Sequence, residues 1–140
     1  DRREGGKVRE IKFRGKRSDG GGWVYGNLLR VDHETCTEYF IIPFITNGSI
    51  VKKEFMLKFI SPCFEVDFDT IGELTGLKDK NGKEVYEGDI TNKGVVEYWK
   101  GKFLIIQRNN QCWDELCFSH EMVEVIGNLY ETPHLLEGSD

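Results

Sequence analysis

The chain has 140 residues, of which 39% are hydrophobic and 31% are charged, and its formal net charge is −5. A chain of this length and balance forms one domain or two small subdomains, and its composition excludes a disordered or low-complexity protein. Its apolar runs are shorter than the roughly 18–20 residues that cross a bilayer. The first residues do not resemble a secretory leader, so we expect a protein of a reducing cytoplasm.

The charge is distributed unevenly along the chain. Residues 1–17 carry eight basic and three acidic side chains, which leaves the remainder strongly acidic. An acidic body repels polyphosphate and argues against a surface that wraps nucleic acid, although the basic segment could still contact an anionic partner. Within it, Lys12 and Arg14 alternate with Ile11 and Phe13, which is typical of the solvent face of a half-buried strand.

In chain order, the predicted elements of the first half are strands. A strand begins near Val8, and the glycine-rich loop at 18–22 connects it to a strand over 23–29 as a hairpin. The aromatic and β-branched run 38–45 predicts a strand that is an edge or ends at a bulge, because Pro43 cannot donate to a ladder, and a turn follows at 46–49. Residues 50–60 fit a helix or a strand, and we favour a strand.

The second half predicts short strands separated by glycine turns, near 70–75, 85–90, 94–99, 103–106 and 122–129. This spacing is typical of a small barrel or sandwich, and closure into a barrel removes exposed edges. The expected core of the barrel consists of apolar residues from these strands: Val85, Ile90, Val96, Tyr98, Phe103, Ile105, Val125 and Leu129. One turn of helix is expected at the end, with Thr132 as its cap and Pro133 in its first position.

The run Thr-Gly-Leu-Lys-Asp-Lys-Asn-Gly-Lys-Glu-Val-Tyr-Glu-Gly-Asp-Ile at 75–90 resembles the central signature of the YopX family. The flanking segments 9–15, 23–26 and 124–131 resemble the family's first, second and closing strands, and the resemblance covers residues 9–137. It implies a small protein encoded by a bacteriophage or prophage, located in the host bacterial cytoplasm, whose molecular function is uncharacterised. It also implies an SH3-like barrel in the C-terminal part, and it supplies no catalytic residue.

The expected fold is therefore mostly β, with an SH3-like barrel in the C-terminal half and an additional N-terminal β region packed on it. We expect residues 1–7 to be a disordered end or a cloning remnant, 8–69 to form the β subdomain, and 70–137 to form the barrel with its terminal turn. The signature residues have a sufficient structural explanation as turn formers, barrel corners and backbone acceptors. They are Thr75, Gly76, Asp79, Asn81, Gly82, Glu87, Gly88 and Asp89.

The candidate binding residues are aromatic rings and lysines in or beside the strands. Successive residues of a strand face opposite sides, so we expect one ring of Tyr98 and Trp99 in the core and the other exposed. An exposed ring beside lysines could hold a peptide or a stacked base. The candidates are Trp23, Tyr25, Trp99, Trp113, Lys100 and Lys102.

The case for catalysis or a metal is weak, and we expect neither a cofactor nor a bound metal. The spacing of Cys112, Cys117 and His120, with His33 and Cys36 as further ligands, departs from the two tight pairs of a structural zinc site. We therefore expect ordinary core cysteines. Cys117, Ser119 and His120 are neighbours in sequence, but a nucleophile and base are recognised by geometry.

The sequence does not disclose a biochemical activity. Its main functional prediction is a non-catalytic phage or prophage accessory protein that binds an unknown protein partner or itself. Self-association could use the apolar strand 38–45 and form a homo-oligomer. The alternative is a nucleic-acid-binding module that uses the basic N-terminal segment and exposed aromatics, and a second alternative is a small hydrolytic or metal-dependent enzyme.

Overall fold

The computed structural model describes residues 9–43 and 63–136, and the predictions for 1–8, 44–62 and 137 lie outside them. The contacts divide the chain into two units, of which the first is Lys12–Gly72. The second unit begins at Glu73, and the described residues before Lys12 group with it. Among the described residues no helix is long and apolar enough to span a bilayer.

The first unit is an antiparallel meander of four strands. They are β1 (Phe13–Lys16), β2 (Trp23–Asp32), β3 (Thr37–Pro43) and β4 (Phe64–Glu65), and sequential strands are neighbours. The glycine-rich loop joins β1 to β2, which confirms the predicted hairpin. The core cluster contains Val24, Ile41 and Val66, with Phe13 and Phe64 packed against it. A short 3₁₀ turn, Phe68–Thr70, follows β4.

The third strand is not a free edge, which was one of the two outcomes predicted from Pro43. It pairs with β2 along its whole length and with β4 at Phe40 and Ile41, and the Val66 N–H donates to the Tyr39 carbonyl. The described part of this strand ends at Pro43, and the predicted continuation to Ile45 lies outside the described residues. Ile41 is fully buried, so the apolar character of this run reflects packing within the unit.

The second unit contains a hairpin and a five-stranded antiparallel sheet. The hairpin consists of β5 (Gly72–Lys78) and β6 (Glu84–Tyr86). The sheet has the order β10-β9-β8-β7-β11. Its strands are β7 (Asp89–Thr91), β8 (Gly94–Trp99), β9 (Lys102–Ile106), β10 (Cys112–Glu115) and β11 (Val125–Asn128).

This sheet is open, so the prediction of a closed barrel is wrong. The outermost strands β10 and β11 are not neighbours in the strand order. The chain between them forms a short helix, α1 (Leu116–Ser119), and a 3₁₀ turn, His120–Met122. The Val125 N–H of β11 donates to the Asp79 carboxylate, and the Asn128 N–H donates to the Thr132 hydroxyl. Side-chain acceptors thus satisfy donors of β11 that a neighbouring strand would otherwise satisfy.

The core of the second unit lies under this sheet and α1. Val85, Val96, Ile105 and Val125 were predicted to be buried and belong to the core cluster, and Ile90 is also buried. Leu116 and Val123 complete the cluster from the helical segment that the sequence analysis missed. Pro133–Leu136 forms the predicted final turn as a 3₁₀ turn. The Thr132 hydroxyl bonds to Asn128 and does not cap this turn.

Candidate functional site

The hairpin of β8 and β9 extends beyond the core and forms an exposed tip. Val95 and Val96 of β8 are buried, whereas the next three residues, 97–99, are all exposed. Lys100 and Gly101 form the turn, and both have a left-handed backbone with φ of 49° and 88°. We call residues 97–103 the hairpin arm.

Both rings at the end of β8 are exposed, which corrects the prediction that one of them enters the core. Tyr98 is 53% exposed and Trp99 is 44% exposed. The Tyr98 ring meets its cross-strand partner Phe103 edge to face at 5.4 Å between centroids. Alternation sends the two rings to opposite faces. Phe103 still packs against the core cluster at this end of the hairpin, but neither the Tyr98 ring nor the Trp99 ring is covered.

Two lysines surround Trp99 on the hairpin arm. The Lys100 ammonium lies 4.6 Å from the centre of the Trp99 ring. Lys102 is the cross-strand partner of Trp99, and its ammonium lies 3.5 Å from a Glu115 carboxylate oxygen. The cation over the ring favours a fixed orientation of an exposed indole. The structure therefore groups Trp99, Lys100 and Lys102, three of the six candidate binding residues.

The other three candidates do not join this group. Trp113 lies in β10 and packs half-buried against the core cluster of the second unit, with the Lys93 ammonium 5.7 Å from its ring centre. Trp23 and Tyr25 belong to the first unit. The Trp23 ring stacks with the guanidinium of buried Arg14 at 5.1 Å, and Tyr25 is 44% exposed.

The Asp79 carboxylate organises the turn at the centre of the signature. Asp79 is only 5% exposed. One oxygen accepts the N–H groups of Asn81 and Lys83, and the other accepts the N–H of Val125. Burial by itself raises the pKa of this carboxyl, but the three backbone donors and the charge of Lys83 outweigh it and lower the pKa. The carboxylate thus connects the β5–β6 turn to β11.

The remaining signature residues occupy structural positions. The Thr75 hydroxyl donates to the Val85 carbonyl, and Asp89, which is 2% exposed, accepts the Tyr86 N–H. Gly82 has a φ of 81° at the predicted Asn-Gly turn. Gly76 and Gly88 also have positive φ, of 83° and 91°, which fits the predicted role of bends.

Glu87 lies near two other carboxylates. Burial raises the pKa of Glu87, and the negative charges of Glu73 and Glu97 add to this increase, against a backbone hydrogen bond that lowers it. Unfolding exposes Glu87 to water and restores its ordinary pKa. The ionised form is therefore less favourable in the folded protein than in the unfolded one.

We expect Glu87→Gln to raise the free energy of unfolding at pH 7. The pKa is higher in the folded state, so the carboxylate reduces stability above that pKa, and the neutral amide removes this effect. Below the ordinary value of 4.5 the carboxyl is protonated in both states, and the difference should disappear. Urea unfolding at pH 7 and pH 4 measures both limits, with exposed Glu121→Gln as the control. An equal effect at both pH values would contradict the electrostatic cause.

The cysteines and histidines do not assemble a catalytic or metal centre within the described part of the chain. All four cysteines are exposed, which corrects the prediction of core cysteines. The described residues contain no group of three potential metal ligands. The buried Ser119 hydroxyl donates to the Glu115 carbonyl, and His120 Nδ1 lies 2.7 Å from the Lys78 carbonyl oxygen. The first bond is local, the second joins residues 42 positions apart in the chain, and neither joins a nucleophile to a base.

Two surface features escaped the sequence analysis. Phe118 and Met122, four residues apart in the helical segment, are 74% and 60% exposed. A shallow groove of about 910 Å³ lies at the end of the sheet remote from the hairpin arm and contains Lys93 and Arg108. The amphipathic spacing of the helical segment could have indicated the first feature. The groove is formed by residues from distant strands, so no local sequence pattern predicts it.

One of the comparisons with known proteins identifies a family. The family model described as YopX protein matches residues 12–137. Among solved structures, the chain is similar to the crystal structure of protein EF1440 from Enterococcus faecalis, with 24% identity and a TM-score of 0.55. That match covers 93% of this chain and 100% of the other, and it concerns the fold alone. None of the curated proteins matches the chain.

Proposed function

This chain belongs to the YopX family, and we propose that it is a non-catalytic protein-interaction module that contacts its partner through the hairpin arm. The observation that carries the proposal is the exposure of two consecutive rings, Tyr98 and Trp99, beyond the core. Exposure of two large rings to water is unfavourable, and burial of these rings against a partner surface recovers that free energy. Trp and Tyr are also the side chains that most often dominate protein interfaces.

The chemistry of the hairpin arm indicates what the partner offers. Trp99 presents a wide apolar surface, and the Lys100 ammonium lies beside it. Burial of this pair requires an apolar pocket for the ring and a carboxylate for the cation. We therefore propose a protein partner with an apolar pocket that is bordered by acidic side chains.

The biological setting of the proposal comes from the family resemblance. We propose an accessory protein of a bacteriophage or prophage that acts in the cytoplasm of the host bacterium. The SH3-like character of the second unit is also proposed on that resemblance. Its support is the run of short antiparallel strands, four of which, β7 to β10, are consecutive neighbours.

The nucleic-acid alternative has less support. Two cations of the basic N-terminal segment pack on aromatic rings within the first unit. Arg14 is 6% exposed and stacks on Trp23, and the Arg17 guanidinium lies 4.1 Å from the Phe64 ring centre and pairs with Asp19. These side chains contribute to packing, so fewer of them remain for phosphate contacts.

The two remaining alternatives were inferred from residues that have other contacts in the structure. Self-association through the strand 38–45 has less support, because β4 pairs with part of that edge. Light scattering after size exclusion tests whether a homo-oligomer forms through the hairpin arm. A hydrolytic role for Ser119 and His120 has less support, because both side chains bond to backbone carbonyls.

We expect Trp99→Ala to abolish capture of a partner from lysogenic host cells. The substitution removes the exposed indole while the core cluster is untouched. Phe118→Ala is the matched control, because it removes an exposed ring of the same unit that is not part of the arm. Quantitative mass spectrometry of proteins bound to each immobilised variant gives the measurement. Equal recovery by wild type and Trp99→Ala would remove the hairpin arm from the proposal.

A further inference from the structure

The groove at the end of the five-stranded sheet has walls from two connections. The β7–β8 turn contributes residues 91–94, and the β9–β10 loop contributes residues 107–109. Ile126 of β11 and Leu135 of the final 3₁₀ turn also line it and are 44% and 38% exposed. The volume of about 910 Å³ lies at the upper end of ordinary ligand pockets, and the shallow form suits a chain segment better than an enclosed small molecule.

The groove is positively charged in an acidic protein. Lys93 and Arg108 lie on opposite connections, and none of the described residues that line the groove is acidic. The whole chain has a formal net charge of −5. A smaller hollow of about 290 Å³ shares Gln107, Arg108 and Leu136 with the groove and includes Glu97. Positive charge concentrated in a concave surface attracts and orients an anionic segment.

The lining also distinguishes between anionic ligands. Single-stranded nucleic acids bind on grooves that combine positive charge with aromatic rings on which bases stack. None of the described residues that line this groove is aromatic, and its apolar surface is aliphatic, from Ile126, Leu135 and Leu136. Aliphatic side chains pack well against aliphatic side chains of a peptide and offer no stacking surface to a base.

We propose that this groove binds an acidic peptide segment of a partner protein, with carboxylates at Lys93 and Arg108 and aliphatic side chains on Ile126 and Leu135. Gln107 contributes a further side-chain amide to the wall of the groove.

None of the residues that line the groove belongs to the hairpin arm, and Glu97 of the arm lines only the neighbouring hollow. Gly94 at the groove and Trp99 on the arm are the two ends of β8, and five steps along a strand span about 16 Å. The two surfaces can therefore be altered independently. A failure of the groove proposal leaves the proposal for the arm intact, and the reverse also holds.

The test uses fluorescence anisotropy with the full chain and a short labelled peptide of alternating glutamate and leucine. We expect Lys93→Glu with Arg108→Glu to weaken binding at least about tenfold, because two attractive contacts become repulsive. Lys100→Glu with Lys102→Glu is the matched control, since it reverses two charges on the arm, and it should bind the peptide nearly as wild type does. A peptide with serine in place of leucine should bind at least about tenfold more weakly.

Other outcomes overturn the proposal. Tighter binding of single-stranded oligothymidine than of the peptide would make this a nucleic-acid groove. If the serine peptide bound as tightly as the leucine peptide, binding would depend on charge alone and not on the aliphatic contacts. If the groove variant bound the peptide as wild type does, the peptide would bind elsewhere. Thermal unfolding verifies that each variant folds. Should the charge reversal prevent folding, Lys93→Gln and Ile126→Ser replace it, each with an expected loss of at least about threefold.

Discussion

We expect Asp79→Ala to lower the free energy of unfolding by about 4 kcal/mol, because three backbone N–H groups lose their acceptor at once. The Val125 N–H is the most affected donor, since its hydrogen bond to Asp79 is buried and joins residues far apart in sequence. Urea unfolding at pH 7 measures the loss. Hydrogen exchange should also show faster exchange at Val125 than in the wild-type protein.

The Asp79 effect should depend on pH. The pKa of Asp79 is lower in the folded protein than its ordinary value of 3.8. Its contribution is therefore complete above that value and is lost as the pH falls through the lowered pKa. Asp114→Ala is the control, because Asp114 accepts one N–H, from its neighbour Glu115, and should cost below about 1 kcal/mol. Equal losses for the two variants at pH 7 would contradict the role of Asp79.

We expect Gly26→Ala to destabilise the first unit by about 3 kcal/mol. A Cβ atom at this position would overlap the Ile42 carbonyl oxygen and lie 2.9 Å from the Pro43 Cα. Both obstacles are backbone atoms of the neighbouring strand β3, so β2 and β3 would have to separate locally. Hydrogen exchange of the amides in β2 and β3 measures this loss within the first unit and does not require the chain to unfold in one step.

Gly20→Ala is the matched control for Gly26. Gly20 has a φ of 83° in the β1–β2 loop, and a Cβ atom there would meet nothing within 4 Å. Its cost is backbone strain alone, about 1 kcal/mol. A loss at Gly20 as large as that at Gly26 would show that steric overlap between strands is not the dominant cause.

The residue pattern was sufficient for local features. The glycine-rich loop before Trp23 predicted a hairpin, and Asn81 with Gly82 predicted the turn between β5 and β6. Alternating apolar residues predicted Val96, Ile105 and Val125 in the core. The run at 75–90 also indicated the family that the family model shows. These features depend on neighbours in sequence, whose backbone preferences and side-chain alternation are encoded locally.

The partners of the signature acid were beyond that local pattern. The sequence placed Asp79 in a turn, and two of its three acceptor contacts lie within that turn. The third reaches Val125, 46 residues later. No periodicity connects these two positions, because the pairing depends on where β11 lies after α1 has covered the core.

By itself, the sequence determined the β character, the main hairpins and five of the buried core positions of the second unit, since each follows from interactions within a few residues. The tertiary structure alone decided that the five-stranded sheet stays open, because α1 and side-chain acceptors stand where strand pairing would close it. It also decided that Tyr98 and Trp99 are both exposed and that Lys93 and Arg108 share a groove. Burial depends on how far the core extends, and proximity depends on which distant loops meet. The alternation of apolar and polar residues along a strand determines neither.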